Sequence, residues 1–150
     1  MQYWLMKSEP DAFSIDDLAR VNIEPWDGVR NYQARNMLRD QMQVGDQVFF
    51  YHSNCDVPGI VGIAEIAKAG YPDDTACNPD AKYYDPKSTS ENPRWYRVDV
   101  KFVRKLKRTI SLNELKVHPA LTEMPLVRKG NRLSVTPVAS QHWHDILGLE

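Results

Sequence analysis

The chain has 150 residues, of which 42% are hydrophobic and 26% are charged, and its formal net charge is −1. We expect residues 1–150 to form one domain, because a single core usually serves a chain of this size. The balanced charge disfavours a protein that coats nucleic acid without specificity, since such binding needs a basic surplus, although it leaves room for a local basic patch. The two cysteines lack CxxC spacing, which excludes a Cys-based zinc site and a disulfide scaffold and fits a reducing compartment.

The N-terminal apolar stretch covers only Tyr3 to Met6 before Lys7 interrupts it. This is too short for the core of a signal peptide or for a membrane span. The chain also lacks the run of consecutive basic residues that directs nuclear import. We therefore expect a cytoplasmic protein that has no membrane partner.

The helices are predicted from caps and spacing. Ser14 and Asp17 form the Ser-x-x-Asp pattern of a capped short helix that runs through residue 20. Apolar residues at helical spacing predict an amphipathic helix over 31–42, with Asn31 as its N-cap and its end near residue 45. A helical turn follows Ser111, and a last helix starts at residue 140.

The strands are predicted from hydrophobic patterning. Unbroken apolar runs indicate buried strands, whereas alternation over 96–102 indicates a strand with one core face and one face toward solvent or a ligand. In chain order, the predicted strands lie at 3–8, 46–52, 59–68, 96–102 and 133–135. Residues 70–94 lack periodicity and predict a loop whose length is more typical of functional segments. Five strands with peripheral helices indicate a small, partly closed barrel of mixed α and β structure, a class whose mouth often binds a ligand.

Catalytic and metal-binding motifs are absent from the sequence. There is no GxSxG turn for a nucleophile and no glycine-rich phosphate loop, and the aspartates of the 70–94 loop lack calcium-loop spacing. His142 and His144 are two residues apart on a predicted helix, so they point in different directions and cannot chelate one ion. We therefore expect no catalytic residue, no metal and no cofactor.

Aromatic residues recur beside amide, hydroxyl and basic side chains at the ends of predicted elements. These groups are Trp4 with Lys7 and Ser8, Trp26 with Arg30 and Asn31, Tyr51 with His52, Ser53 and Asn54, and Trp95 with Arg94 and Arg97. An extruded nucleic-acid base offers a flat face for stacking and an edge of donors and acceptors, so such a mixture suits a base-binding pocket. The alternative is that the tryptophans belong to the core. Trp4 and Trp143 favour that alternative, whereas Trp26 and Trp95 fit either role.

Basic residues cluster in three places. They are Arg97, Lys101, Arg104, Lys105, Lys107 and Arg108, then Arg30, Arg35 and Arg39, and finally a weaker group of Arg128, Lys129 and Arg132. Such clusters indicate either a phosphate-binding surface or a solvated strand edge where lysine and arginine prevent edge-to-edge pairing.

Several long motifs resemble the EVE domain family. They are Tyr3 to Pro10, Trp26 to Asn36, Tyr51 to Asn54, Gly59 to Glu65, Tyr71 to Asp73, Tyr83 to Lys87, Asn92 to Trp95 and Arg132 to Val135. The resemblance spans nearly the whole chain. It implies a PUA-like fold, a five- to six-stranded incomplete barrel with flanking helices, related to the YTH readers of methylated adenine.

The resemblance also implies a function, namely non-catalytic binding of a modified, methylated base of DNA or RNA. Carried over residue by residue, the implied base pocket comprises Lys7, Ser8, Trp26, Asn31, Tyr51, His52, Ser53 and Trp95. The expected phosphate contacts are Arg30, Arg35, Arg97, Lys101 and Arg104. Two alternatives stay open: an enzyme acting on modified nucleotides, for which His52 is the attractive ionisable group, and a protein-interaction module with an exposed apolar patch.

Overall fold

A mixed six-stranded sheet organises the computed structural model, which describes residues 1–150. The strands are β1 Tyr3–Ser8, β2 Ile23–Pro25, β3 Gln47–His52, β4 Gly59–Pro72, β5 Tyr96–Ser111 and β6 Val135–Val138. Their order across the sheet is β2-β5-β4-β3-β1-β6, with β1 parallel to β3 and the other neighbours antiparallel. The two edge strands do not pair with each other, so the barrel-like sheet stays open. The expected α+β class and incomplete barrel are confirmed.

Four helices and several short turns surround the sheet. The helices are α1 Ile15–Val21, α2 Tyr32–Asn36, α3 Leu112–Val117 and α4 Ser140–Leu147. Single 3-10 turns lie at Asp74–Cys77, Pro119–Leu121 and Pro125–Val127, and a π-helical turn lies at Met37–Gln41. No helix combines the length and the apolar character that crossing a membrane requires.

Local capping signals were sufficient to locate the helix starts. Ser14 accepts from the Asp17 amide while the Asp17 carboxylate accepts from the Ser14 amide, which is a complete capping box. Asn31 and Ser111 cap α2 and α3 with one bond each, accepting from the amides of Ala34 and Glu114. The helix expected over 31–42 differs in one respect: after residue 36 it widens into a π turn, closed by a bond from the Met42 amide to the Met37 carbonyl.

Four strand predictions need correction. β4 runs to Pro72 rather than residue 68, into the segment predicted as a loop. β2 was not predicted, and it pairs through only three positions with β5. β5 extends to Ser111 rather than residue 102, because β4 pairs with it beyond that residue, as far as Ser111 opposite Gly59. The last strand begins at Val135, two residues later than expected, where it pairs with Met6 of β1.

The central strands bury side chains on both faces of the sheet. Trp4 and Phe50 belong to a core that also holds Leu18 of α1 and Leu38 of the π turn. The alternate residues Leu5 and Phe49 belong to a second core, which α3 and α4 cover with side chains such as Leu115, Trp143 and Ile146. The core positions of Trp4 and Trp143 are confirmed, since both are essentially inaccessible to solvent.

Candidate functional site

A cleft of about 930 Å³ opens where the C-terminal ends of β1 and β3 face the loop after β2. The predicted site residues that line it are Lys7, Ser8, Trp26, Arg30 and Ser53. Its size falls within the range of pockets that hold small organic groups. The structure thus brings together residues that lie in three separate segments of the sequence.

Trp26 forms the aromatic part of this cleft and is only partly buried. Its ring meets the edges of Phe13 and Phe50, with centroids 6.5 and 5.5 Å apart. Its backbone amide donates to the Val98 carbonyl at 2.7 Å, which ties the loop to β5. The indole is therefore held by two aromatic edges while part of its surface stays available to a ligand.

Asp73 anchors the loop that carries Trp26, although it is itself buried outside the cleft. Its Oδ2 accepts from the Gly28 amide at 2.9 Å and from Arg30 Nη1 at 3.0 Å. Its Oδ1 accepts from the amide and the hydroxyl of Thr75 at 3.0 and 2.5 Å. Burial acts to raise the pKa of the Asp73 carboxyl, but the hydrogen bonds from Thr75, Gly28 and Arg30 outweigh it and lower the pKa below its usual value.

Sequence reasoning missed Asp73, because it treated the aspartates of the 70–94 loop as turn formers. The only local signal was the Asx pattern with Thr75 two residues later. The contacts with Gly28 and Arg30 join residues more than forty positions apart. No local pattern reveals such a contact.

Gly28 allows the loop from residue 80 onward to close one side of the cleft. Its φ is +79°, a conformation that L side chains rarely adopt. A Cβ at this position would lie 2.9 Å from the Tyr83 ring. A side chain at Gly28 would therefore strain the backbone and displace Tyr83 from the cleft wall.

The polar end of the cleft is built by β1 and β3. Ser8 Oγ donates to the Phe13 carbonyl at 2.6 Å, and the Ser53 amide donates to the Ser8 carbonyl at 3.0 Å. The Ser53 hydroxyl makes no hydrogen bond within the protein and is free for a ligand. Burial lowers the pKa of the Lys7 ammonium, whose Nζ lies 5.9 Å from the Tyr51 ring centroid.

The cleft is lined by side chains of both charges, and its carboxylates are Glu9, Glu24 and Asp27. Glu24 and Asp27 lie at the end formed by the loop after β2, and burial is the main cause that raises the pKa of both carboxyls. Lys7, Lys82 and Arg132 supply cations elsewhere on the rim, and none of the three forms an ion pair with a protein carboxylate. The cleft can therefore offer both carboxylate acceptors and cations to a ligand.

Two of the residues predicted for the base pocket have other positions. Asn31 does not line the cleft, and its Oδ1 accepts from the Ala34 amide at 3.0 Å as the cap of α2. His52 accepts from the Ile15 amide through Nε2 at 3.1 Å, at the start of α1. Burial lowers the pKa of the His52 imidazole, which keeps the acceptor nitrogen unprotonated.

The other two are buried away from the cleft. Trp95 stacks under Tyr32 with centroids 4.8 Å apart, and its Nε1 donates to Asp85 Oδ2 at 2.7 Å. Tyr51 is also buried and borders a second, smaller cavity instead. Burial is the main cause that raises the pKa of the Tyr51 hydroxyl to about 12.

Most of the predicted phosphate-contact residues already have partners within the protein. Arg104 makes a bidentate pair with Glu150 at 2.6 and 2.8 Å. Arg35 donates to the Arg94 carbonyl and to Asn36, and Arg97 lies 3.3 Å from Asp74 Oδ1.

The remaining two keep free capacity. Arg30 Nη2 is buried and has no hydrogen-bond partner, although its other nitrogens do. Lys101 is exposed and unpaired on β5. No group of three or more His, Cys, Asp or Glu side chains is arranged to hold a metal ion.

Comparison with known proteins gives a consistent result. The family model described as the EVE domain matches residues 2–149. A rat protein named thymocyte nuclear protein 1 is 48% identical over 167 aligned residues, which cover 99% of this chain and 73% of that protein.

Solved structures agree as closely. A crystal structure of a Pseudomonas syringae protein is 54% identical, with a TM-score of 0.95 and 98% of each chain covered. Human THYN1, in complex with DNA that contains 5-methylcytosine, is 45% identical with a TM-score of 0.93, covering 99% of this chain and 97% of that one.

These comparisons correct the expected location. The relatives from rat, mouse and human are 46–48% identical and are all named thymocyte nuclear protein 1, so the expectation of a cytoplasmic protein is wrong. The reason is that a signal peptide or a membrane span distinguishes secreted and membrane proteins from proteins of the cytoplasm and nucleus. It does not separate cytoplasm from nucleus.

Proposed function

This chain belongs to the EVE domain family, and from that premise we propose that its 150 residues act as one non-catalytic reader domain, which binds a methylated base of DNA in the cleft around Trp26. 5-Methylcytosine is the first base to test, since DNA containing it is the partner in the human THYN1 complex. The observation that carries the proposal is the partly exposed Trp26 ring within a cleft of about 930 Å³.

Trp26 suits the role of a stacking platform. Stacking of a base on an aromatic side chain contributes about 1–3 kcal/mol. The edges of Phe13 and Phe50 fix the plane of the indole before any ligand arrives. Less conformational freedom is therefore lost on binding than for a mobile side chain.

The charged side chains of the cleft can serve different parts of a nucleotide. Carboxylates accept hydrogen bonds from the exocyclic amine of cytosine, so Glu24 and Asp27 suit the base edge. Lys7 and Arg132, which form no ion pair within the protein, suit phosphate oxygens. A target base would leave its stack and enter the cleft.

Recognition of the methyl group needs more than its burial. Transfer of one methyl from water contributes about 0.8 kcal/mol, which is only about a four-fold change in affinity. Contact of the methyl with the Trp26 face would add to this. We therefore expect most of the affinity to come from base stacking and phosphates, and selectivity to come from the fit at Trp26.

The proposal treats the protein as a binder because its candidate acid–base group is otherwise engaged. His52 Nε2 receives the Ile15 amide and does not line the cleft. The enzyme alternative is tested by incubating the protein with oligonucleotides that contain 5-methylcytosine and measuring their mass. An unchanged mass supports the reader, whereas turnover would refute the non-catalytic part of the proposal.

Replacement of Trp26 by leucine tests the binding site. Leucine retains apolar contact with Phe13 and Phe50 but removes the stacking surface, so affinity for the methylated oligonucleotide should fall by about 1–3 kcal/mol, roughly 5- to 150-fold. Fluorescence anisotropy with methylated and unmethylated duplexes measures this change. Tyr84→Leu removes an exposed aromatic outside the cleft and serves as the control. Unchanged binding by a folded Trp26→Leu variant would contradict the proposed site.

A further inference from the structure

A second cavity of about 370 Å³ lies beside the cleft. Lys7 and Tyr51 form its sheet side, Lys116 of α3 borders it, and residues 126–131 complete it. Lys7 and Asn131 line both the cavity and the cleft. The two cavities therefore adjoin at Lys7 and Asn131.

The lining of this cavity carries positive charge without compensation. It contains Lys7, Lys116, Arg128 and Lys129, and no aspartate or glutamate. Only Arg128 has an ion-pair partner, Glu123, and both of those side chains are largely exposed. The cavity thus concentrates three cations with no carboxylate partner.

This pattern contrasts with the basic cluster on β5. There, Arg97, Arg104 and Lys105 form ion pairs with protein carboxylates, and Arg108 pairs with Glu114. A guanidinium already held by a carboxylate must give up that partner before it can bind a phosphate. The unpaired lysines of the second cavity have no such cost, so they are available to a phosphate.

Two further features favour an anion at this position. The backbone amides of Lys129 and Gly130 donate to no acceptor within the protein, so they can donate to phosphate oxygens. Burial lowers the pKa of the Lys7 ammonium, which has no counterion. A bound anion would supply the missing negative charge and relieve that penalty.

We propose that the second cavity binds a backbone phosphate of the nucleic acid, adjacent to the nucleotide whose base occupies the cleft. The inference rests on the proposed reader function. It assigns phosphate contacts to Lys116, Lys129 and the 129–130 amides in place of the paired arginines of β5. The cleft then reads the base while the cavity fixes the strand.

The test replaces both lysines in Lys116→Gln/Lys129→Gln and follows affinity against salt concentration. Each lost phosphate contact should lower the slope of log K against log salt by about 1. At 0.1 M salt the loss should be roughly 10- to 60-fold, equal for methylated and unmethylated DNA. The ratio between the two DNAs should remain as in the unaltered protein, because the cleft is intact.

The matched control is Lys101→Gln/Lys107→Gln, which removes two exposed lysines from β5. The slope of log K against log salt should be the same for this variant as for the unaltered protein. A slope that falls for the β5 pair and not for the cavity pair would place the phosphates on β5 and overturn the inference. Trp26→Leu reports on the base cleft alone. If Trp26→Leu loses selectivity for methylated DNA while Lys116→Gln/Lys129→Gln keeps the salt slope of the unaltered protein, only this inference is refuted and the reader function stands.

A second measurement does not depend on DNA binding. Inorganic phosphate is titrated into the protein while the amide NMR signals of Lys129 and Gly130 are followed. Saturable shifts that disappear in Lys116→Gln/Lys129→Gln support an anion site even if the protein fails to bind methylated DNA. Signals that do not move in the unaltered protein, or that move equally in the variant, overturn the anion site.

Discussion

Replacement of Asp73 by asparagine should destabilise the protein and loosen the cleft. Each carboxylate oxygen accepts from two donors, Oδ2 from Gly28 and Arg30 and Oδ1 from the amide and hydroxyl of Thr75. Whichever oxygen becomes the amide nitrogen, it faces two donors instead of accepting from them. No rotation of the asparagine avoids this conflict.

The expected magnitude follows from the charges that remain. The Asp73 side chain is fully buried, and the side chains of Arg30 and Arg97 near it are only 17% and 15% exposed. Removal of one partner from a buried pair costs about 3–5 kcal/mol. We expect about 3 kcal/mol, the lower end, because both arginines keep some contact with water. For a protein of this size that corresponds to a fall of about 6–12 °C in the melting temperature.

Asp74→Asn is the matched control. Asp74 lies 3.3 Å from Arg97 Nη2, but its side chain is 82% exposed. Because water screens the exposed Asp74 carboxylate, its pair with Arg97 contributes less than about 1 kcal/mol, so this variant should melt within about 4 °C of the unaltered protein. Equal melting temperatures for the two variants, measured by circular dichroism, would refute the assignment of Asp73 as the buried anchor.

The same carboxylate predicts the direction of a pH effect. Its pKa is lowered in the folded protein, because its hydrogen bonds outweigh the opposite effect of burial. Its contribution is therefore complete above the unfolded value of about 4 and is lost as the pH falls through the folded pKa. The stability gap between the unaltered protein and Asp73→Asn should narrow on acidification below about pH 4 in urea denaturation.

Three further substitutions test the loop beside the cleft and the contact of His52 with α1. Gly28→Ala combines a positive φ with a 2.9 Å approach to Tyr83, whereas Gly45→Ala has a positive φ with open space around it. The free energy of unfolding of both variants should fall by about 1–3 kcal/mol because of backbone strain. In urea denaturation the fall should be larger for Gly28→Ala, which should also bind DNA more weakly. Equal falls would contradict the contact with Tyr83. His52→Ala leaves the Ile15 amide without its acceptor and should cost about 1–2 kcal/mol. Burial lowers the pKa of His52, so its contribution to the stability of the fold should be complete above about pH 6.5 and decline at lower pH. Melting curves recorded against pH would contradict this if the difference between the unaltered protein and His52→Ala did not decline.

Local signals were enough for much of the fold. The unbroken apolar runs of β1 and β3 require burial on both faces, which places these strands in the middle of the sheet. The capping box at Ser14 needs only Asp17, three residues away. Such features are visible in the sequence because every group involved lies within a few residues of the others.

Features that depend on a distant partner could not be predicted in the same way. β2 is a strand only because β5 lies beside it. Trp95 fitted either a core or a pocket role from its position and was placed in the pocket by the family resemblance, yet Tyr32 and Asp85 enclose it. The alternation of a single strand shows which residues share a face, but it does not show what covers that face.

For this protein the sequence by itself determined the family, the α+β class and the aromatic and polar residues that could meet a base. Only the tertiary structure decided which of them share a cleft and which charges are free. Arg104 and Glu150 are 46 positions apart, and Asp73 and Gly28 are 45 apart. Composition counts an arginine as a positive charge wherever it lies, whereas a neighbouring carboxylate, placed there by folding, cancels that charge. For this reason most basic residues of β5 are neutralised, whereas three unpaired lysines lie in the cavity beside the cleft.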